Sequence, residues 1–348
     1  VRLGGARMFA LALALLSLTA CKPVEPDPLA VAPDETIRPL AGPWSVGGAN
    51  LALASGTALS AEAGPGGAGV AMAAWTREGQ LWLSSTFNAG AAWTTPRSLG
   101  PAPTGDAPPT LLVSPAGLAL AFVLDGRPTR LVMTDRGFVS SSPAEAAVAH
   151  HVTAVDHEGT IWLAWVDHRD PASPTLRAWT DGEEELIVQD VPICDGPIAL
   201  GVVDGALTVA ARLGRDAGSG VRTFARGEDG WTPRGAWLED AAPCFADAPF
   251  FAGEELLTTL RAPTPTVARG DRRSYLPAGA LPMTPRPLRA STAWAQEQGG
   301  RATLVIDGLP QREREGTLRL GAPAIVGPEV WLPMEGGGAA ALAWRPED

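Results

Sequence analysis

All four histidines of this 348-residue chain lie in one short stretch, at His150, His151, His157 and His168. Asp156, Asp167 and Asp170 stand among them. Imidazole nitrogens and carboxylate oxygens are the donors that hold zinc-class cations, so metal chemistry is the first to consider here. If 152–156 and 160–166 pair as a hairpin through His157-Glu158-Gly159, His150 or His151 comes to the same end as His168 and Asp167. His157 falls at the opposite end, so the four cannot share one ion. The spacing fits no established zinc motif. We therefore read the four as solvated loop histidines and expect no metal site and no cofactor. Asp204-Gly205 reads as a tight turn. Glu183-Glu184-Glu185 and Arg312-Glu313-Arg314-Glu315 read as solvated charged stretches. Neither the Asp-Gly pair nor the glutamate run has the alternating carboxylates of a calcium loop.

These residues sit on a repeating framework. From Trp44 onward one unit recurs: an apolar strand, a glycine-containing turn, a second apolar strand often carrying Trp, a third strand and a polar turn. Second strands are read at 70–75, 118–124, 160–166, 206–212, 256–261, 302–306 and 330–333. They recur about every 40–50 residues, the period of a four-stranded propeller blade, apart from a shorter last interval. The expectation is an all-β fold, a β-propeller with seven blades favoured and six as the alternative. No capped, 3.6-residue apolar period appears outside the first 20 residues. The last unit, 323–344, supplies only three strands. Segment 44–54 is expected to add the fourth and so close the ring without a free edge. Trp162, Trp165 and Trp179 are read as wedges between blades rather than as a ligand surface.

Composition narrows the partners. The formal net charge is −11, with 38 acidic against 27 basic side chains, and Lys22 is the single lysine. An acidic surface repels phosphate backbones, so no nucleic acid is expected. Gly 40 and Pro 33 agree with many short strands separated by turns.

The first segment speaks to location. Arg2 and Arg7 precede an apolar run over 8–18, which ends in Leu18-Thr19-Ala20-Cys21. This is the layout of a signal peptide, too short to span a bilayer as a finished helix. Leu-Thr-Ala-Cys resembles the lipobox of bacterial lipoproteins. The resemblance implies that residues 1–20 are removed as a lipoprotein signal peptide and that Cys21 is lipidated, which makes the membrane a partner through the anchor. It also implies a place in the bacterial cell envelope, and Lys22, in place of the inner-membrane sorting Asp, points to the outer membrane. Loss of Arg2 and Arg7 would take the formal charge from −11 to −13. Residues 21–43 are proline-rich and read as a tether, with 44–348 as the propeller domain. In an oxidising compartment Cys194 and Cys244 are expected to form one disulfide, two buried thiols being the alternative.

Residues 86–93 read Thr-Phe-Asn-Ala-Gly-Ala-Ala-Trp. This resembles the Asp-box turn of sialidase-like (BNR-repeat) propellers, with Asn88 in place of the aspartate. Weaker echoes are Thr180-Asp181-Gly182 and the stretch 227–233, and the resemblance covers most of 60–240. It implies that Thr86, Asn88, Gly90 and Trp93 build a structural turn between the third and fourth strands of a blade, with Trp93 packed in the core. Sialidases of that group use a tyrosine nucleophile and an arginine cluster. The one tyrosine here, Tyr275, follows Arg272-Arg273-Ser274 in a poorly patterned stretch, and the group's Arg-Ile-Pro opening is absent. No catalytic residue is assigned. The expected function is that of a non-catalytic envelope lipoprotein whose propeller binds a protein partner or scaffolds an envelope assembly. A carbohydrate-binding module is the alternative, and a sialidase-like hydrolase the least favoured reading.

Overall fold

Strand Thr160–Asp167 is apolar at nearly every position and buried along its length, so it must be covered on both sides. Alternate side chains achieve this. Trp162, Ala164 and Val166 pack against Leu207, Val209 and Ala211 of one neighbouring sheet. Leu163 and Trp165 pack against Ala121 and Val123 of the other. A small sheet covered on both faces by its neighbours is a propeller blade. The computed structural model describes residues 37–44, 49–55, 70–104, 107–114, 117–143, 148–189, 191–215, 218–240, 249–261, 264–335 and 339–345. Among these residues the elements are all strands.

The ring has seven blades. The first six span 49–101, 110–141, 149–188, 199–240, 250–275 and 281–315, each with four antiparallel strands paired in chain order. Seven apolar clusters fill the seven junctions between them. The sixth unit differs from the sequence reading in one respect. Segment 302–306 belongs to the third strand, Arg301–Ile306, and the second strand is Ser291–Gln298. That second strand ends in Gln296-Glu297-Gln298, which disguised it as a loop and made the last interval look short.

Ring closure also differs from expectation. The seventh blade is built from Arg319–Leu320 and Ala324–Val326, both paired to Glu329–Glu335, then Ala339–Trp344. Its outermost strand is Ile37–Pro39, not 44–54, and Ala49–Ser55 is instead the first strand of blade one. Residues 37–43, read as tether, therefore belong with the ring, and Ile37 and Leu40 are buried. Proline content misled here. Pro39 ends an edge strand, where a missing N–H costs no ladder bond. Side chains hold this strand in place. Arg38 donates from Nε and Nη2 to the two oxygens of Glu329 at 3.0 and 2.6 Å. Burial raises the Glu329 pKa, but hydrogen bonds from Arg38 and Trp331 outweigh it and leave the carboxyl below the usual range. Arg312 donates to the Ile37 carbonyl at 3.2 Å. Its segment, read as an exposed loop, is the strand Leu309–Glu315, and Arg312 itself is buried.

Other buried arginines also cross from blade to blade. Arg130 reaches the Ile161 carbonyl, Arg212 the Thr259 carbonyl and Arg286 the Gly321 carbonyl, at 2.8, 2.8 and 3.0 Å. A buried guanidinium is tolerated only when its donors are met, and five donors on a long stem can span such a junction.

The junction of blades seven and one carries five tryptophans, Trp44, Trp75, Trp82, Trp93 and Trp331. Trp44 meets Trp93 edge-on at 5.0 Å and Trp75 at 6.5 Å, and Trp93 lies 6.0 Å from Trp331. Trp93 comes from the long turn between strands Gln80–Thr86 and Arg97–Pro101, the third and fourth of blade one. Thr86 Oγ1 donates to Asn88 Oδ1 at 2.9 Å and accepts from the Gly90 amide at 3.1 Å. Asn88 Oδ1 also accepts from the Ala92 amide at 2.9 Å, and Trp93 Nε1 donates to the Ala41 carbonyl. Gly90 is required twice over. Its φ is +83°, and a Cβ there would stand 3.0–3.2 Å from Leu40 and Trp331.

Candidate functional site

The first strand of each blade lines a central cavity of about 1100 Å³. Every blade contributes, from Leu51 in blade one to Ile325 in blade seven. The wall is mostly apolar, with Phe250, Phe251 and Met283 in blades five and six, and Arg286 and Arg319 also face it. A cavity of this size, with apolar stretches and convergent polar side chains, has room for a ligand segment.

One end of the cavity carries a cluster of titratable side chains. His150 and His151 stand at the start of strand Ala149–His157, where the pairing slips between Ala149 and Val152. Successive residues on a regular strand point to opposite faces, and a bulge re-aims them. Both imidazoles consequently reach one carboxylate. His150 Nδ1 lies 3.0 Å from Asp195 Oδ2, and His151 Nε2 lies 3.3 Å from Oδ1. His168, one residue past strand Thr160–Asp167, places Nε2 3.1 Å from Oδ1. The His150 and His168 rings are stacked, with centroids 4.0 Å apart and planes 17° from parallel.

The frame beneath the cluster is fixed by backbone. The His168 amide donates to the Val148 carbonyl at 2.8 Å. Asp195 sits in the loop joining blades three and four. An Ile193–Leu213 bridge and the Cys194 amide, bonded to the Arg212 carbonyl at 3.0 Å, hold that loop. Burial lowers the His151 pKa, only partly offset by the Asp195 charge. For Asp195, burial raises the pKa, but the hydrogen bond from His150 and the charges of the three imidazoles bring it below the usual range.

The remaining residues singled out in the sequence lie elsewhere. Asp167, which the hairpin reading placed at the same end as His168, is buried and bonded to Arg169 and Arg177, at 2.5 and 3.1 Å. His157 is at the opposite end of its strand and contacts the Gly205 carbonyl at 3.0 Å. Asp156 and Asp170 accept amides of their own turns, from Gly159 and Ala172. Asp181-Gly182 and Asp204-Gly205 are two-residue hairpin turns with positive φ at both positions. The Glu183–185 run is not simply solvated. Glu184 bridges Arg169 and Arg177, and Glu185 accepts from Arg226 and from Trp231 Nε1 at 2.7 Å. Trp162, Trp165 and Trp179 are buried in the junctions and present no stacking face. Tyr275 ends the outermost strand of blade five, 73% exposed and away from the cavity wall. Cys194 is buried. Cys21, with the rest of residues 1–36, and Cys244 lie outside the described residues.

Sequence reasoning missed Asp195. It follows a cysteine and precedes a glycine, which reads as a turn. The usable signal was topological: the loop after a fourth strand returns to the face on which the next first strand begins. In blade three that face carries His150 and His168.

No family model and no curated protein matches this chain. Solved structures share the fold. A puromycin-hydrolyzing peptidase of Mycobacterium tuberculosis is 16% identical with a TM-score of 0.53, covering 85% of this chain and 51% of that one. The chain thus spans about half the length of that peptidase. BamB from Moraxella catarrhalis is 14% identical with a TM-score of 0.45, covering 80% of each chain. TolB from Acinetobacter baumannii is 11% identical with a TM-score of 0.40, covering 84% of this chain and 80% of that one. At these identities the likeness is one of fold alone.

Proposed function

We propose that this chain is a lipid-anchored, non-catalytic β-propeller of the bacterial envelope. In this reading the ring binds a protein partner through the cavity and the loops on its His150 face. The observation that carries the binding role is the 1100 Å³ cavity, with apolar side chains and two arginines on its wall. The anchor rests on Leu18-Thr19-Ala20-Cys21 and the charged, apolar run before it. Ile37, the first described residue, lies on the rim of the ring. The 15 residues from 22 to 36 can span at most about 50 Å between a lipidated Cys21 and that strand. The ring would then stand close to its membrane, held by an edge rather than by the channel.

Two finer assignments belong to this reading. Cys194 and Cys244 form one disulfide, which would brace the loop that presents Asp195. The Thr86-Asn88-Gly90-Trp93 turn is an Asp-box of the sialidase-like type. The bonds that Thr86 and Asn88 make within the turn, and the packing of Trp93 against Trp44 and Trp331, support that reading.

The test is a Cys21→Ala chain expressed beside the unaltered one, with cross-linked pull-downs from native envelopes. We expect the unaltered chain to fractionate with the outer membrane and capture a reproducible partner. The variant should be released to the soluble fraction and lose that partner. Identical membrane fractionation of the two chains would refute the lipid anchor. An empty capture alongside specific retention on immobilised glycans would replace the protein partner with a carbohydrate.

A further inference from the structure

We infer that His150, His168 and Asp195 form a binding site for one zinc-class divalent cation at the mouth of the central cavity. The nearest nitrogens of the two imidazoles and a carboxylate oxygen all lie within 4.8 Å of one another. The two imidazole–carboxylate separations are 3.0 and 3.1 Å. An ion bound at about 2.0–2.1 Å from each donor would hold them roughly 3.4 Å apart. Small side-chain rotations therefore suffice, on a backbone that bulge, bridge and loop bonds already fix.

The donor types agree with the ion. Two imidazoles and a carboxylate without a thiolate suit zinc, nickel or copper(II) better than calcium or magnesium, which prefer all-oxygen sites. His151 supplies the supporting contact. Its Nε2 faces the same carboxylate at 3.3 Å, as second-layer groups do around bound metals. Its Nδ1 is buried without a hydrogen-bond partner. Three protein donors leave a fourth position for water or for an oxygen or nitrogen of a ligand. His150 and Asp195 also line the cavity, so that position lies at its entrance. The site does not depend on which partner the ring binds.

The test uses the full chain, purified in mild detergent and stripped with a chelator. Zinc is titrated in competition with a chromophoric indicator. We expect one zinc per chain, with a Kd on the order of 1 µM or tighter. His168→Ala and Asp195→Asn should each weaken binding at least about 10-fold. His157→Ala, at the far end of the same strand, should leave it unchanged. His168 is nearly buried, so His150→Ala, a half-exposed position, serves if the first variant unfolds. Copper(II) bound to the unaltered chain should show two equatorial nitrogens by electron paramagnetic resonance. Zinc binding weaker than about 100 µM, or equally tight binding in Asp195→Asn and His150→Ala, overturns the site. So does a copper signal without nitrogen coupling.

Discussion

Replacing Trp331 by alanine is expected to cost about 3–5 kcal/mol of stability, the range for removing a buried aromatic without refilling its space. Trp331 is fully buried in strand Glu329–Glu335, to which both inner segments and Ala339–Trp344 of blade seven pair. Its ring fills the junction with blade one, against Trp93 and beside Leu40 and Trp44. Its Nε1 also donates to Glu329, the carboxylate that holds Arg38 on the closing strand. One substitution therefore opens a cavity and loosens the clamp on Ile37–Pro39. Denaturant unfolding followed by tryptophan fluorescence gives the midpoint shift. Hydrogen exchange should show faster exchange at Leu40, whose amide bonds Ala341, before blades three and four respond. A loss below about 1 kcal/mol would mean that the blade seven–one junction is not what locks the ring.

Asp167→Ala is expected to cost about 2–3 kcal/mol, because it removes a buried carboxylate that bonds two partly exposed arginines and two backbone amides. Asp167 is 1% exposed and bonds Arg169 and Arg177, while Glu184 bonds the same two arginines from the other side. Two cations and two carboxylates thus alternate, and removal of the most buried member leaves Glu184 as the one carboxylate between the two guanidiniums. The other Asp167 oxygen accepts the Val148 and Arg169 amides at 3.4 and 3.1 Å. Those amides flank His150 and His168, so the variant should also disorder the imidazole cluster. Asp167→Asn keeps an amide acceptor and loses the charge, so its cost should be smaller. Equal stability of Asp167→Ala and the unaltered chain would show that Glu184 alone satisfies both arginines.

Much of this architecture could be read from the chain. Buried strands such as Thr160–Asp167 carry apolar residues on both faces, and X-Gly turns such as Asp204-Gly205 mark the hairpins, so blade type and number were legible. What failed were features set by partners distant in sequence. Ile37–Pro39 looks like proline-rich tether because its pairing strand, Ala339–Trp344, lies some 300 residues away. Glu184, Glu185 and Arg312 look like surface charge until a neighbouring blade supplies the opposite charge or a carbonyl. The histidine cluster was half visible. The hairpin brings His150 and His168 to one end, as their spacing implied, but the carboxylate between them comes from the next inter-blade loop. Asp167, the nearer candidate in sequence, is drawn instead to two arginines on its own blade.

Whether the ring binds a protein partner by its cavity and His150 face is decided by position-resolved cross-linking in native envelopes. A photoreactive residue is placed in the full chain at Ile325, which lines the cavity, or at Val148, beside His150 on the same face. A third chain carries it at Leu309, exposed at the start of the outermost strand of blade six. All three side chains are well exposed, so reactivity itself is matched. Partner binding at this face should give one discrete cross-linked product from Ile325 and from Val148, and none from Leu309. A product from Leu309 alone, or the same product from all three, would contradict it.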